Sequence, residues 1–483
     1  MSTRKALIFS FVDRYSSLLM AIASSMAIAR LLRPDELGIF SVAMALLLLA
    51  STVRDMGAGQ YIVQAIELTP ERIKAVWTIQ IGIGAILALL VMALAVPAAA
   101  FYREPKILPI LLVTGISYLL NPFGSITYAM LMREMAFGKI AIIRFSASLS
   151  GALVSVGLAA TNHGPISLAW GSLAGTTANA LVAQIFRPAG MPWGFALRGV
   201  PEVLGFGSRI AGTSIISSIV NSTPDFVLGK LQGMQAAGLF SRSNGLVAMF
   251  SRLITDAISG VAIGLFARQR RENLDVRPGF LRAMSYITVL SWTFSAGLAL
   301  FSHPLTRVLY GTQWDGSVSL TRWLALAGGL VAPVHMCVVL LTALGRADLL
   351  MKATFASGTV TVLATVAGAL LGFDTIGKFL ALSSLCAAYF WLRTAKLAID
   401  VNWTMLFSTF RGSAITASIT MVGPVIVALL MGLEQTNPLL ILLAGAFSGL
   451  ACAIIAVFVT NHPIQAELRP MLNRLIARHQ KDA

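Results

Sequence analysis

Four arginines, Arg14, Arg54, Arg242 and Arg252, and four aspartates, Asp13, Asp55, Asp225 and Asp256, stand inside stretches that are otherwise apolar. A guanidinium presents paired N–H donors that match a phosphate or pyrophosphate, so the cationic members suit an anionic ligand. Asn221 and Asn244, on the same stretches, add neutral donors. The carboxylates suit coupling to a proton or sodium ion, Asp225 above all, because it follows Pro224, where a freed backbone carbonyl helps hold a cation. A structural account of the same residues stays open. Arg54 with Asp55, and Arg252 with Asp256, are spaced for ion pairs that hold helices together; Asp225 is in reach of Arg242 or Lys230; and Arg14 with Asp13 stands near a helix end where both can snorkel. Arg322 reads as an interfacial anchor. The chain has no G-x-x-x-x-G-K-[ST], H-E-x-x-H or G-x-S-x-G motif. We therefore expect no ATP site, no catalytic residue, no cofactor and no enzymatic activity. Cys337, Cys386 and Cys452 lie in apolar runs with neither metal nor disulfide spacing and read as packing residues.

The elements that must position these side chains are membrane-spanning helices. The chain has 483 residues, 57% hydrophobic and only 12% charged, with a mean hydropathy of +0.81. About fourteen apolar stretches of roughly 20 residues match the ~30 Å hydrocarbon core at ~1.5 Å per residue. Lipid cannot satisfy backbone polar groups, and the alternation of a barrel strand is absent, so the expected fold is an all-α integral membrane protein. The spans fall near 8–30, 38–57, 76–100, 107–130, 139–160, 165–186, 207–228, 237–264, 283–302, 318–344, 353–372, 376–396, 413–432 and 438–460. Helix 1 reads as its own insertion signal rather than a cleaved peptide. The segment Ile464 to Arg478 sets leucines against basic residues, as a short interfacial helix does, and a solvated tail fits it equally.

The net charge of +16 has its source in short loops rather than in a nucleic-acid site, and no nucleic-acid partner is expected. With a cytoplasmic amino terminus, the even-numbered connections carry Arg72, Lys74, Arg133, Lys139, Arg187, Arg198, Arg268, Arg270, Arg271, Arg277, Arg346, Lys352, Arg393 and Lys396. The opposite side carries little beyond Arg33, Arg103, Lys106, Lys230, Arg307 and Lys378. Both termini are therefore expected on the cytoplasmic side.

An internal repeat overlies this topology. Arg30 to Ser41 joins the first two spans and Lys230 to Ser241 joins the seventh and eighth, with a basic residue, Leu, Gly, Phe and Ser in register. The repeat implies two six-helix lobes, 1–190 and 200–400, followed by two further helices in 401–462 and a basic tail in 463–483. Polar residues concentrate on four spans. The eighth carries Ser241, Asn244, Arg252, Thr255, Asp256 and Ser259 at helical steps; the seventh carries Ser214, Ser217, Asn221 and Asp225. The first adds Asp13, Arg14, Ser17 and Ser24, and the second Ser41, Ser51, Arg54 and Asp55. These spans should line a wet cavity, because a charge facing lipid at mid-bilayer costs at least ~2.5–3.5 kcal/mol.

Several stretches resemble a known family. Ala29 to Phe40 with Arg54-Asp55-Met56-Gly57, then Phe101 to Pro105, Leu131 to Phe137, Asp225 to Lys230, Gly238 to Arg242 and Leu309 to Trp314 are similar to bacterial polysaccharide flippases of the multidrug/oligosaccharidyl-lipid/polysaccharide exporter superfamily. That resemblance implies two six-helix lobes around a cationic cavity lined by spans 1, 2, 7 and 8. It implies a cargo of oligosaccharide repeat units on undecaprenyl pyrophosphate, moved across the inner membrane by alternating access for exopolysaccharide or lipopolysaccharide synthesis. Membrane lipids, a polysaccharide polymerase and a chain-length regulator are its implied partners, with a proton or sodium ion as coupling ion. A drug exporter of the same superfamily would want an acidic, aromatic-lined cavity, and an assembly scaffold would want a sizeable docking loop; the longest loops here, near 187–206 and 265–282, are short and basic.

The charge asymmetry makes a direct prediction. Single cysteines at 163 and 374 should react with an impermeant maleimide from the periplasmic side, and one at 272 only after the cytoplasmic side is opened. Reversal at any two positions would overturn the topology.

Overall fold

The computed structural model describes residues 19–54, 58–65, 67–434, 437–467 and 469–470, which form helices and turns with no strand among them. Asp13, Arg14, Asp55 and the tail beyond residue 470 lie outside the described residues. Among the described residues, ten helices are long and apolar enough to cross a membrane. By close contact the chain divides into two compact units, Met1–Ser241 and Arg242–Ala483.

The first unit contains α1 (Leu19–Leu31), α2 (Pro34–Arg54), α3 (Ala58–Gln64), α4 (Pro70–Tyr102), α5 (Ile107–Arg133), α6 (Phe137–Ala160), α7 (Ile166–Ile185), α8 (Val200–Leu231) and the start of α9 (Met234–Arg271). Turn chemistry sets their ends. Thr69 caps α4 by accepting from the Arg72 amide, with Pro70 at the first helical position. Arg103 closes α4 in the left-handed region at φ 54°, and the Glu104 carboxylate takes the Lys106 amide. At the far end of α5, Met135 is left-handed, while Arg133 reaches the Ile62 and Ala65 carbonyls at the end of α3.

Two contacts organise this unit. Trp77, 1% exposed, centres an apolar cluster with Ile73, Val76, Ile126, Met191 and Val203. The second contact joins the two copies of the repeat. A Cβ placed on Gly38 would lie 2.8 Å from the Gly238 nitrogen and inside contact of the Met234 carbonyl. A Cβ on Gly238 would lie 2.9 Å from the Gly38 nitrogen and inside contact of the Pro34 carbonyl. The starts of α2 and α9 thus cross backbone to backbone, each glycine reading the residue four before the other. Small residues permit such an approach in a membrane, where dispersion replaces the hydrophobic drive. With α8 also packed on α2, the first unit runs into the start of α9.

The second unit contains the rest of α9, α10 (Arg277–Leu300), α11 (Ser302–Leu309), a 3₁₀ turn (Thr312–Ser317), α12 (Val318–Ala343), α13 (Ala347–Leu371), α14 (Phe373–Ile399), α15 (Trp403–Met431) and α16 (Pro438–Val459). Its main core gathers Phe266, Phe280, Met284, Met336, Cys337, Leu340 and Trp391. Beyond α16 the buried His462 is pinned to α10 and α15. Its Nδ1 accepts the Ile464 amide at 3.3 Å, which leaves the proton on Nε2 to donate to Ser285 Oγ at 2.9 Å. Burial holds this imidazole below its ordinary pKa, consistent with that neutral form.

The glycine crossing predicts that Gly238→Ala lowers the apparent melting temperature of the purified protein, at a cost of about 1–3 kcal/mol from overpacking. Gly245→Ala, where nothing lies within 4 Å of the added carbon, should not. Equal melting of the two variants would refute the close approach.

Candidate functional site

Arg54 occupies the last turn of α2, where its charge complements the helix dipole. Its guanidinium stands 5.6 Å from the Tyr118 ring centre, and the Tyr118 hydroxyl donates to the Leu47 carbonyl at 2.8 Å. Tyr118 therefore fixes the helix and gives the cation an electron-rich face.

Asp225 lies near the end of α8 beside Ser41, whose hydroxyl is within hydrogen-bonding reach of the carboxylate. Its Oδ1 is enclosed and has no hydrogen-bond partner among the described residues. Lys230 is turned instead to Phe101, donating to its carbonyl and resting 4.0 Å from its ring centre. Earlier on α8, Ser214, Ser217 and Asn221 are exposed while Ser218 and Ser222 are buried. Ser218 meets Thr52 of α2 at 2.5 Å. One polar face of α8 is thus open and the other is packed.

In the second unit, Arg242 is held between two rings of the Leu309-to-Trp314 stretch. Tyr310 lies at 4.8 Å and the fully buried Trp314 at 5.3 Å. Gly311, at φ 94°, makes the turn that brings both rings round, and a bidentate Arg307–Asp315 pair closes it, with Nη2 to Oδ2 at 2.8 Å. Asn244 and Arg252, further along α9, are exposed. Leu246 and Val247 are buried, as the opposed apolar face requires. Thr255 is buried too and donates to the Ser251 carbonyl, so the open polar face of α9 is narrower than the spacing alone suggests. Asp256 lies on α9, and Arg322 donates from Nε to Ser302 Oγ at 3.0 Å. The described residues contain no group of three His, Cys, Asp or Glu able to hold a metal ion.

The candidate residues accordingly fall into different settings. Arg54 and Arg242 rest on aromatic rings, Asp225 is enclosed, and Asn221, Asn244 and Arg252 are open. Sequence reasoning missed the rings. The signal was present for Arg242, since Tyr310 and Trp314 stand in a stretch already singled out, but nothing in the spacing tied that stretch to α9.

This is a multi-pass α-helical membrane protein with open polar faces on two helices, the architecture of a membrane transporter rather than of a soluble enzyme. The chain belongs to the family of polysaccharide biosynthesis proteins, whose profile matches residues 27–319. It is 23% identical over 476 residues to the succinoglycan biosynthesis transport protein ExoT of Rhizobium meliloti (strain 1021), covering 94% of this chain and 92% of ExoT. It is 22% identical over 334 residues to the lipopolysaccharide biosynthesis protein WzxC of Escherichia coli (strain K12); that match spans 67% of this chain and 66% of WzxC, just under two thirds of it. Among solved structures, the lipid II flippase MurJ in its inward closed conformation shares the fold, with a TM-score of 0.73 at 14% identity over 93% of this chain and 99% of MurJ.

The open faces predict a labelling pattern. With Cys386 and Cys452 replaced by Ala, cysteines at 221, 244 and 252 should react with a water-soluble maleimide at least roughly tenfold faster than cysteines at 222 and 246. Equal rates across the five positions would remove the polar faces.

Proposed function

We propose that this protein is a flippase of the bacterial inner membrane that moves undecaprenyl-pyrophosphate-linked oligosaccharide repeat units by alternating access, for exopolysaccharide or lipopolysaccharide synthesis. Its termini face the cytoplasm. The observation that carries the reading is Arg252, an exposed guanidinium on α9, which the sequence leads us to expect as the eighth span. Such a charge facing lipid costs at least ~2.5–3.5 kcal/mol, so it is retained where water and an anion meet it. The planar donor pair fits a pyrophosphate better than a cationic drug. Family membership supports a place in polysaccharide assembly, and the likeness to ExoT, a transport protein of succinoglycan biosynthesis, supports transport as the step. A polymerase and a chain-length regulator are the protein partners such a step calls for.

Arg252 binds the pyrophosphate, assisted by Asn244 on the same helix, and Asn221 offers its own donors on α8. Arg54 and Arg242, which rest on rings, each add positive charge within their own unit. Asp225 is the coupling carboxylate. Its enclosed Oδ1 has capacity for a proton or sodium ion, and the Ser41 hydroxyl supports the other side of the group. With no nucleotide-binding motif in the sequence, directional movement draws on a gradient or on consumption of the flipped product, and Asp225 serves the first of these.

Reconstitution with a fluorescent lipid-linked oligosaccharide separates these roles. Arg252→Ala should lose flipping with or without a gradient while the protein stays folded in the liposome, and Arg252→Lys should recover it in part. Asp225→Asn should keep downhill exchange and lose stimulation by an imposed proton or sodium gradient. Flipping by Arg252→Ala at the native rate would overturn the binding role, and native transport indifferent to every gradient would overturn the coupling role.

A further inference from the structure

The connection between α7 and α8 has a construction that the proposed transport does not use. Residues 187–199 read Arg-Pro-Ala-Gly-Met-Pro-Trp-Gly-Phe-Ala-Leu-Arg-Gly, with two cations and no acid. A loop in water usually turns its large apolar side chains inward. Here Trp193 is 53% exposed, Phe195 68% and Leu197 81%, and Ile185 at the end of α7 is 76% exposed.

These side chains are held out by a rigid base. The Ala196 amide donates to Thr78 Oγ1 at 2.9 Å, and the Thr78 hydroxyl donates to the Ala196 carbonyl at 3.1 Å. The Ala196 backbone is thereby fastened to α4, while the side chains on either side of it, Phe195 and Leu197, are exposed. The Arg187 guanidinium lies 3.7 Å from the Trp193 ring centre and 5.7 Å from that of Trp77, and Nη2 donates to the Met191 carbonyl at 2.9 Å. Trp77 and Trp193 are themselves 4.7 Å apart. Arg187 Nη1 and Trp77 Nε1 are enclosed and donate to no acceptor among the described residues, which leaves the ground beneath Trp193 electropositive.

The height of the loop follows from α4. That helix has 33 residues, so at ~1.5 Å per residue it is about 50 Å long and exceeds the ~30 Å hydrocarbon core by about 20 Å. Its first turns lie at the bilayer boundary, and the loop is fastened to Thr78 and Trp77, with the Lys74 side chain beside Gly194. Among nearby charges, Arg72 and Glu202 pair with each other at 3.1 Å, Glu67 and Glu71 are exposed on the approach to α4, and Arg198 is exposed on the loop.

We infer that residues 193–198 form a rigid interfacial anchor that seats Trp193, Phe195 and Leu197 in the acyl-chain boundary of the adjoining leaflet while Arg198 and Lys74 meet anionic lipid headgroups. A tryptophan is at home at headgroup level, with its ring in the boundary, and basic side chains beside it draw anionic lipid. The clamp by Arg187 keeps the anchor at a fixed depth relative to α4 and α7. The occupant is the lipid surface itself and the inference is independent of what the protein transports.

The test places a nitroxide at 195 or at 197 in the full-length protein with Cys386 and Cys452 replaced by Ala, the buried Cys337 left in place. The protein is held in nanodiscs of phosphatidylglycerol or of phosphatidylcholine. Oxygen collisions should exceed those with a neutral nickel chelate at both positions, and the order should reverse at 190. Labels should sit deeper in phosphatidylglycerol, and Arg198→Gln should erase that difference. Because a label can itself unseat the loop, the unlabelled protein supplies a second measurement. The emission lost in Trp193→Phe isolates Trp193, and shallow brominated lipids should quench it at least about twofold more than deep ones. Nickel contact dominating at 195 and 197, spin–spin broadening from a second copy seated on the loop, or Trp193 emission blind to bromine would each overturn the anchor. Equal depth in the two lipids would overturn the anionic headgroup.

Discussion

A cation carried by a helix in hydrocarbon must be solvated by the protein or by water, and the side-chain arrangement of this molecule follows from that demand. Arg54 is met by Tyr118, Arg144 by Tyr128, Lys230 by Phe101 and Arg242 by Tyr310 and Trp314. Arg133 is met by two helix-terminal carbonyls. In each case an electron-rich group within the same unit supplies what water would have supplied, worth about 0.5–2 kcal/mol for a ring face. Arg252 is exposed, as Arg144 and Lys230 are, but among the described residues no ring face meets it.

The crossing of α2 and α9 answers a second demand of the same solvent. Helices in lipid gain little from hiding apolar surface, so they associate where backbones come close and dispersion contacts multiply. Gly38 and Gly238 give that approach reciprocally. The repeat in the sequence is therefore a contact in three dimensions as well as a record of duplication. Similar logic runs along the seam of α6 and α7, where a Cβ on Gly171 would strike Ser155 and Gly151 lies against the Gly171 carbonyl.

How much of this was legible depended on whether the signal was local. Spanning helices are written in runs of roughly 20 residues, so the all-α membrane fold and most element boundaries were open to reading. Partners distant in sequence were not. Nothing local ties Tyr118 to Arg54, or Thr78 to Ala196 over 118 positions. The exposed side chains of 193–197 were passed over for the opposite reason. Within so apolar a chain, three more apolar residues carry no signal until the backbone shows them facing outward.

Hydroxyl groups deserve less weight than their number in the spanning helices invites. Thr114 donates to the Ile110 carbonyl, Thr177 to Leu173, Thr223 to Ile219, Thr255 to Ser251, Thr365 to Thr361 and Thr420 to Thr416. Each returns its proton one turn back along its own helix, satisfies itself and is indifferent to whether its face meets lipid, protein or water. A stripe of Ser and Thr is therefore poor evidence of a wet path. Asparagine has two donors and an acceptor, and arginine five donors, which no single turn can absorb. Asn221 on α8, with Asn244 and Arg252 on α9, are exposed and belong to this demanding class. Once the self-satisfied hydroxyls are set aside, the polar groups that need water contract, in each unit by itself, to Asn221 and the Asp225 carboxylate on α8 and to Asn244 and Arg252 on α9.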